Sequence, residues 1–142
     1  MNKILLSLFL ILFSSFSYAK CTIYFVTAPE LKDTILSKGL LFENYDTLCK
    51  KLNENDAGVQ ITNYLAVSAQ QTTAVIQLRL YNMKVEKDLV SMASIVHSKT
   101  AKNRSTSENE VLEYKTTIEA FDFLFKSNAL DLMIDQIDQL DP

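Results

Sequence analysis

The chain has 142 residues, with 14 Lys and Arg against 17 Asp and Glu, and a formal net charge of −3. This acidic balance argues against nucleic acid as a partner, because neutralising phosphate groups requires a basic surface. One histidine, two cysteines and two glycines also leave little material for a zinc cluster or a Gly-rich phosphate loop.

Residues 1–19 have the pattern of a cleavable secretory signal. A positive start precedes an almost unbroken apolar run over residues 4–13, and Ser17 and Ala19 form a small-x-small cleavage site. The run is shorter than the roughly 20 apolar residues that span a bilayer, and no later stretch could anchor the chain. We therefore predict export, cleavage after Ala19, and a mature chain of residues 20–142 that folds as one domain.

The cysteine content agrees with an oxidising compartment. Cys21 and Cys49 lack the Cys-x-x-Cys spacing of a redox pair, so we predict a structural disulfide between them. The short signal fits a bacterial exporter, which favours the periplasm, with secretion as the alternative. Asn103 begins a glycosylation sequon that would matter only in a eukaryotic secretory pathway.

The first predicted elements are a strand and two helices. Residues 21–27 are rich in β-branched and aromatic side chains and predict a strand. Thr27 and Glu30 then form a capping box for a helix that Gly39 would stop. A second helix over residues 42–53 would point Cys49 at the core. The predicted apolar side of the first helix consists of Leu31, Ile35 and Leu36.

A strand meander follows, since residues 59–67 and 73–81 alternate apolar and polar side chains. A hairpin centred between Gln70 and Gln71 brings both apolar sets to one face, through a loop longer than two residues. Residues 89–97 predict a third strand of the meander. The expected neighbours are Ile61 with Leu80, Leu65 with Ile76, Val67 with Ala74, and Val90 and Met92 with Leu80 and Leu78.

Two helices close the chain after a basic loop over residues 99–106. Ser107 and Glu110 form a second capping box, and a helix break is expected at Ser127-Asn128. The order β-α-α-β-β-β-α-α predicts an α+β fold, in which helices pack on one face of a mostly antiparallel sheet of about four strands. The two predicted helical stripes are Val111, Tyr114, Ile118, Phe121 and Phe125, and then Leu130, Met133, Ile134, Ile137 and Leu140.

Catalytic and metal chemistry find little support in these residues, and no cofactor is predicted. Any catalytic arrangement with histidine must use His97, which we interpret as a solvent-facing strand residue, with a general base as the alternative. Asp131, Asp135 and Asp138 share one helical side, but without a Gly-containing ligand loop they indicate a solvated acidic face rather than a calcium site.

Two surfaces remain as candidates for binding a partner. The predicted register turns Tyr64, Arg79 and Tyr81 outward, with His97 on the neighbouring strand, and tyrosine and arginine are enriched at binding hot spots. The acidic face of Asp131, Asp135 and Asp138 would suit a basic protein. The leading hypothesis is a non-enzymatic, protein-binding domain, such as an inhibitor or immunity protein against a toxic enzyme. The alternatives are an accessory subunit for envelope assembly or transport, and a small hydrolase.

Overall fold

The computed structural model describes residues 21–85, 89–102 and 105–140. The predicted signal over residues 1–19 and the Asn103 sequon therefore lie outside the described residues. Among the described residues, none of the helices has the length and apolar composition of a membrane-spanning segment. The helices are α1 (Pro29–Lys38), α2 (Tyr45–Glu54), α3 (Thr106–Lys126) and α4 (Ala129–Asp138), and the strands are β1 (Phe25–Val26), β2 (Ala57–Val67), β3 (Gln71–Asn82) and β4 (Ile95–Lys102).

The four strands form one sheet in the order β1-β2-β3-β4. β1 runs parallel to β2, whereas β2, β3 and β4 are antiparallel neighbours. The predicted α+β class and element order are confirmed, but the sheet is mixed rather than purely antiparallel. The chain places α1 and α2 between β1 and β2, and such a crossover is what a parallel pair of strands requires.

The helices pack on one face of the sheet, which we call the helix face. Alternate residues of β3 are fully buried on this side, while those between them are partly exposed on the opposite, outer face. The large buried side chains of α3 and α4 complete this single core. The buried residues of β3 on the helix face are Thr72, Ala74, Ile76, Leu78 and Leu80.

The β2–β3 register differs from the predicted one by two residues. Ile61 lies opposite Leu78 rather than Leu80, and Leu65 lies opposite Ala74. A slip of two keeps every side chain on its predicted face, so the hydrophobic pattern does not distinguish the two registers. The turn decides between them: Ser68 N–H donates to Gln71 O at 2.9 Å, which leaves a tip of only two residues. The prediction of a longer loop was therefore wrong.

Strand β4 begins later than predicted. The apolar residues near 90 form only an isolated bridge, between Val90 and Tyr81, and the ladder runs instead over residues 95–102. The predicted loop over 99–106 is thus partly strand. Polar cross-strand contacts replace the expected apolar alternation, as in the 2.7 Å hydrogen bond between the hydroxyls of Thr73 and Thr100.

The start of α1 and its buried side also differ from prediction. Ala28, not Thr27, precedes the helix, and its methyl side chain makes no capping hydrogen bond. Leu31 and Ile35 are buried as expected, whereas Leu36 is 66% exposed. Gly39 ends the helix as predicted, with a positive φ of 80° that glycine adopts without strain.

Helix α3 begins earlier than the predicted capping box. Ser105, not Ser107, is the N-cap, and its hydroxyl accepts a hydrogen bond from the Glu108 N–H. The break at Ser127-Asn128 is confirmed, and α4 buries four of the five predicted apolar residues: Leu130, Met133, Ile134 and Ile137.

The buried side of α3 is rotated from the predicted stripe. Val111 is exposed, whereas Thr116, Thr117 and Ala120 are fully buried. Each threonine hydroxyl donates to a carbonyl one turn earlier in the helix, at 2.7 and 2.9 Å. The hydroxyls are thereby satisfied within the helix, and small side chains let the helix pack close to the sheet.

The predicted disulfide between Cys21 and Cys49 is confirmed and agrees with an oxidising, extracytoplasmic compartment. It joins the segment before β1 to α2, with Cys49 fully buried. Two side chains of α2 hold the same segment: Tyr45 Oη donates to Cys21 O at 3.1 Å, and Asn53 Nδ2 donates to Thr22 O at 3.0 Å. The N-terminal segment is therefore fixed to α2 by a covalent bond and by hydrogen bonds.

Candidate partner-binding surfaces

The outer face of the sheet is positioned by strand alternation. Even-numbered residues of β2 and odd-numbered residues of β3 point away from the helices, and the ladder sets them side by side. One cross-strand row contains Tyr64, Val75 and Ser98, and the next contains Thr62, Gln77 and Val96. Val75 and Val96 also belong to this surface and were missed from the sequence. The alternation of β3 would have predicted the outward position of Val75, and its pairing with β4 that of Val96.

Tyr64 dominates the outer face, with 65% of its surface exposed. Its cross-strand neighbour Val75 is half-buried, and Val96 on β4 is also exposed. A tyrosine beside β-branched residues offers apolar area together with a hydroxyl, at a small cost in side-chain entropy. The predicted outward placement of Tyr64 is confirmed.

Arg79 lies on the same face, opposite Gln60 in β2. The residue is half-buried, and its Nε atom is buried without a hydrogen-bond partner among the described residues. A buried donor without a partner costs about 1–3 kcal/mol relative to a satisfied one. Because the Nε atom is buried, a partner docking on the outer face would contact other parts of the arginine side chain.

Tyr81 does not belong to the exposed surface, although its register position is on the outer face. The residue is 2% exposed, and its burial raises the pKa of the phenol. Its ring occupies the space beside Gly58, where an added Cβ would lie 2.1 Å from Tyr81 Cζ. The glycine thus makes room for the ring, and the prediction that Tyr81 contacts a partner loses its structural basis.

His97 lies on the helix face, opposite Ile76, and not on the outer face as predicted. Its Nε2 atom is 3.1 Å from Glu119 Oε2, and the other carboxylate oxygen accepts a hydrogen bond from Lys99. The hydrogen bond from Lys99, assisted by that of His97, lowers the pKa of Glu119. The histidine therefore links β4 to α3 through a carboxylate, beside an open groove of about 500 Å³ that Phe42 and Phe123 also line.

The acidic side of α4 is exposed at all three predicted positions, Asp131, Asp135 and Asp138. Asp131 forms an ion pair with Lys51 of α2, so part of its charge is neutralised within the fold. No ion pair joins Asp135 or Asp138 to another described residue. These two carboxylates are therefore the members of the acidic face best placed to attract a basic partner.

The structure thus separates the predicted site residues into distinct groups. Tyr64 and Arg79 share the outer face, Tyr81 is buried, and the three aspartates lie on α4, which packs on the opposite face of the sheet. Comparison with known proteins gives no match, whether to family models, to curated proteins or to solved structures.

Proposed function

We propose that this chain is an exported, periplasmic protein-binding domain that recognises its partner through the outer face of the sheet. The observation that carries the proposal is the exposed row around Tyr64, with Arg79 two rows further along the same face. Aromatic and arginine side chains of this kind are typical of interface hot spots. The disulfide supports an oxidising compartment, as the predicted signal requires.

Within this class, the proposed role is that of an inhibitor or immunity protein against a toxic enzyme. The sheet is backed on its other face by packed helices, and preorganised surfaces bind with a smaller entropy cost than mobile ones. The exposed carboxylates of α4 add a negative field that would speed the approach of a basic enzyme.

A photo-cross-linking experiment in the native host tests the proposal. A photoreactive amino acid at Thr62 lies on the outer face in the row next to Tyr64, and leaves the proposed hot spot intact. We expect a covalent adduct with one defined protein, identified by mass spectrometry. The matched control carries the same group at Leu36, which is exposed on α1. Adducts that form equally well at Leu36 would contradict recognition through the outer face.

Neutralising the free carboxylates of α4 should affect binding in a different way. We expect the double variant Asp135→Asn, Asp138→Asn to lower the association rate several-fold at low salt and to leave the dissociation rate unchanged, because exposed charges act by long-range steering. Surface plasmon resonance against the cross-linked partner at two ionic strengths measures both rates. The control is Asp33→Asn with Asp46→Asn, two exposed carboxylates on α1 and α2. A change confined to the dissociation rate would instead place α4 inside the interface.

A further inference from the structure

The edge of β2 is only partly covered by β1. The two strands pair over Val59 and Gln60 alone, although β2 continues to Val67. Val59 N–H donates to Tyr24 O at 2.9 Å, so the odd-numbered residues of β2 direct their backbone groups toward the β1 side. The backbone groups of Asn63, Leu65 and Val67 on this side meet no hydrogen-bond partner among the described residues.

The two edges of the sheet differ in their protection. Natural edge strands avoid pairing with other chains through charged residues, especially lysine, or through inward-pointing charges. β4 has such features, since Lys99 points to the helix face and Lys102 ends the strand. β2 contains no charged residue and no proline over its whole length, and Val67 near its end is 59% exposed.

We propose that the free edge of β2 pairs antiparallel with the same edge of a second copy of this chain. The hydrogen-bonding residues are odd-numbered, so a two-fold axis at Leu65 places Asn63 opposite the partner's Val67 and Leu65 opposite the partner's Leu65. Because the segment is uncharged, the two copies meet without like-charge repulsion. The pairing satisfies the open backbone groups and joins the two sheets into one.

A cavity beside β1 supports this register. It has a volume of about 360 Å³, lies between the end of β1 and the first free residues of β2, and is lined by Thr27 among others. The hydroxyl of Thr27 is buried without a hydrogen-bond partner among the described residues. In the register centred on Leu65, the partner's Ala69 lies opposite Ile61. The hairpin turn of the partner, which contains that residue, therefore lies at this cavity. An extended peptide from another protein would bring no such turn to the cavity.

The proposal goes beyond partner recognition by the outer face and is tested independently of it. Sedimentation equilibrium of the mature, oxidised chain should show a monomer–dimer equilibrium. Leu65→Lys creates a like-charge pair at the two-fold axis and should raise the dimer dissociation constant by about tenfold or more. Val67→Lys, at a more exposed position, should act in the same direction. Val96→Lys on β4 is the matched control and should dimerise like the wild type.

A cysteine variant tests the same pairing of β2 edges if a lysine variant fails to fold. Directly opposed residues of a hydrogen-bonded antiparallel pair have Cα atoms about 5.5 Å apart, which a disulfide can span. Leu65→Cys should therefore form an intermolecular disulfide on a non-reducing gel, and Val96→Cys should not. Three results would each overturn the proposal. The wild-type chain could stay monomeric up to about 1 mM, both lysine variants could leave the dimer dissociation constant unchanged, or Leu65→Cys could fail to form the intermolecular disulfide.

Discussion

Replacing Cys49 with serine lowers the free energy of unfolding by about 2–5 kcal/mol. Two effects act in the same direction. Loss of the disulfide releases a loop with a sequence separation of 28 in the unfolded chain, and the new hydroxyl is placed where the native side chain is fully buried. Urea denaturation of the oxidised wild type and of the variant measures the difference.

The variant Cys21→Ser separates these two effects. It removes the same disulfide, but Cys21 is only partly buried, so the added hydroxyl has access to water. We expect a loss smaller than that of Cys49→Ser by about 1 kcal/mol or less, because Asn53 Nδ2, which lies 3.4 Å from Cys49 Sγ, can donate to a serine hydroxyl at position 49. An ordinary surface substitution changes the free energy of unfolding by about 0.5 kcal/mol or less. If Cys49→Ser changes it by no more than that, the disulfide does not stabilise the fold as described.

Replacing Phe121 with alanine costs about 3–5 kcal/mol of stability, because a large aromatic side chain leaves a cavity that the surrounding core fills only in part. Phe121 is the largest of the fully buried side chains, and its ring is stacked on that of Phe42 at 5.8 Å. It therefore joins α3 both to the sheet and to the segment before α2. Urea denaturation again gives the free energy.

Phe123→Ala is the matched control for this substitution. Phe123 belongs to the same helix, two residues further on, but half of its surface is exposed. We expect a loss of about 1 kcal/mol, since only about half of its surface leaves water on folding. Equal losses at the two positions would mean that α3 packs on the sheet through a different side from the one described.

The alternation in β2 and β3 identifies the faces of both strands, because a shift of one residue would bury polar side chains. The alternation cannot distinguish two registers that differ by two residues, because both keep every side chain on the same face. The turn at Ser68 excludes the predicted register. The disulfide was predictable because only two cysteines are present.

The rotated face of α3 shows why apolar spacing alone was misleading there. Thr116 and Thr117 were counted as polar, yet hydrogen bonds to their own helix let them occupy the core. A second buried polar contact was also missed: Asn63 Nδ2 donates to Glu113 Oε1 at 2.6 Å across the helix–sheet interface. Neither residue stands out in the sequence, because their pairing depends on the tertiary approach of α3 to β2.

The candidate surface was only partly predictable for the same reason. Strand parity placed Tyr64 and Arg79 correctly on the outer face, but it cannot reveal that Tyr81 fills the space beside Gly58. His97 was assigned to the wrong face because β4 was predicted to lie earlier in the chain. Its contact with Glu119 follows from the observed register and from the position of α3 above β4.

The central claim is that the outer face of the sheet binds a protein partner, and the affinity of Tyr64→Ala for the cross-linked partner tests it most directly. Tyr64 is exposed and its truncation leaves the helix face untouched, so stability should change little. We expect isothermal titration calorimetry to give a dissociation constant about thirtyfold higher than that of the wild type, equivalent to about 2 kcal/mol at a hot spot. Leu36→Ala, on α1, should bind like the wild type. A Tyr64→Ala dissociation constant indistinguishable from that of Leu36→Ala would contradict the account.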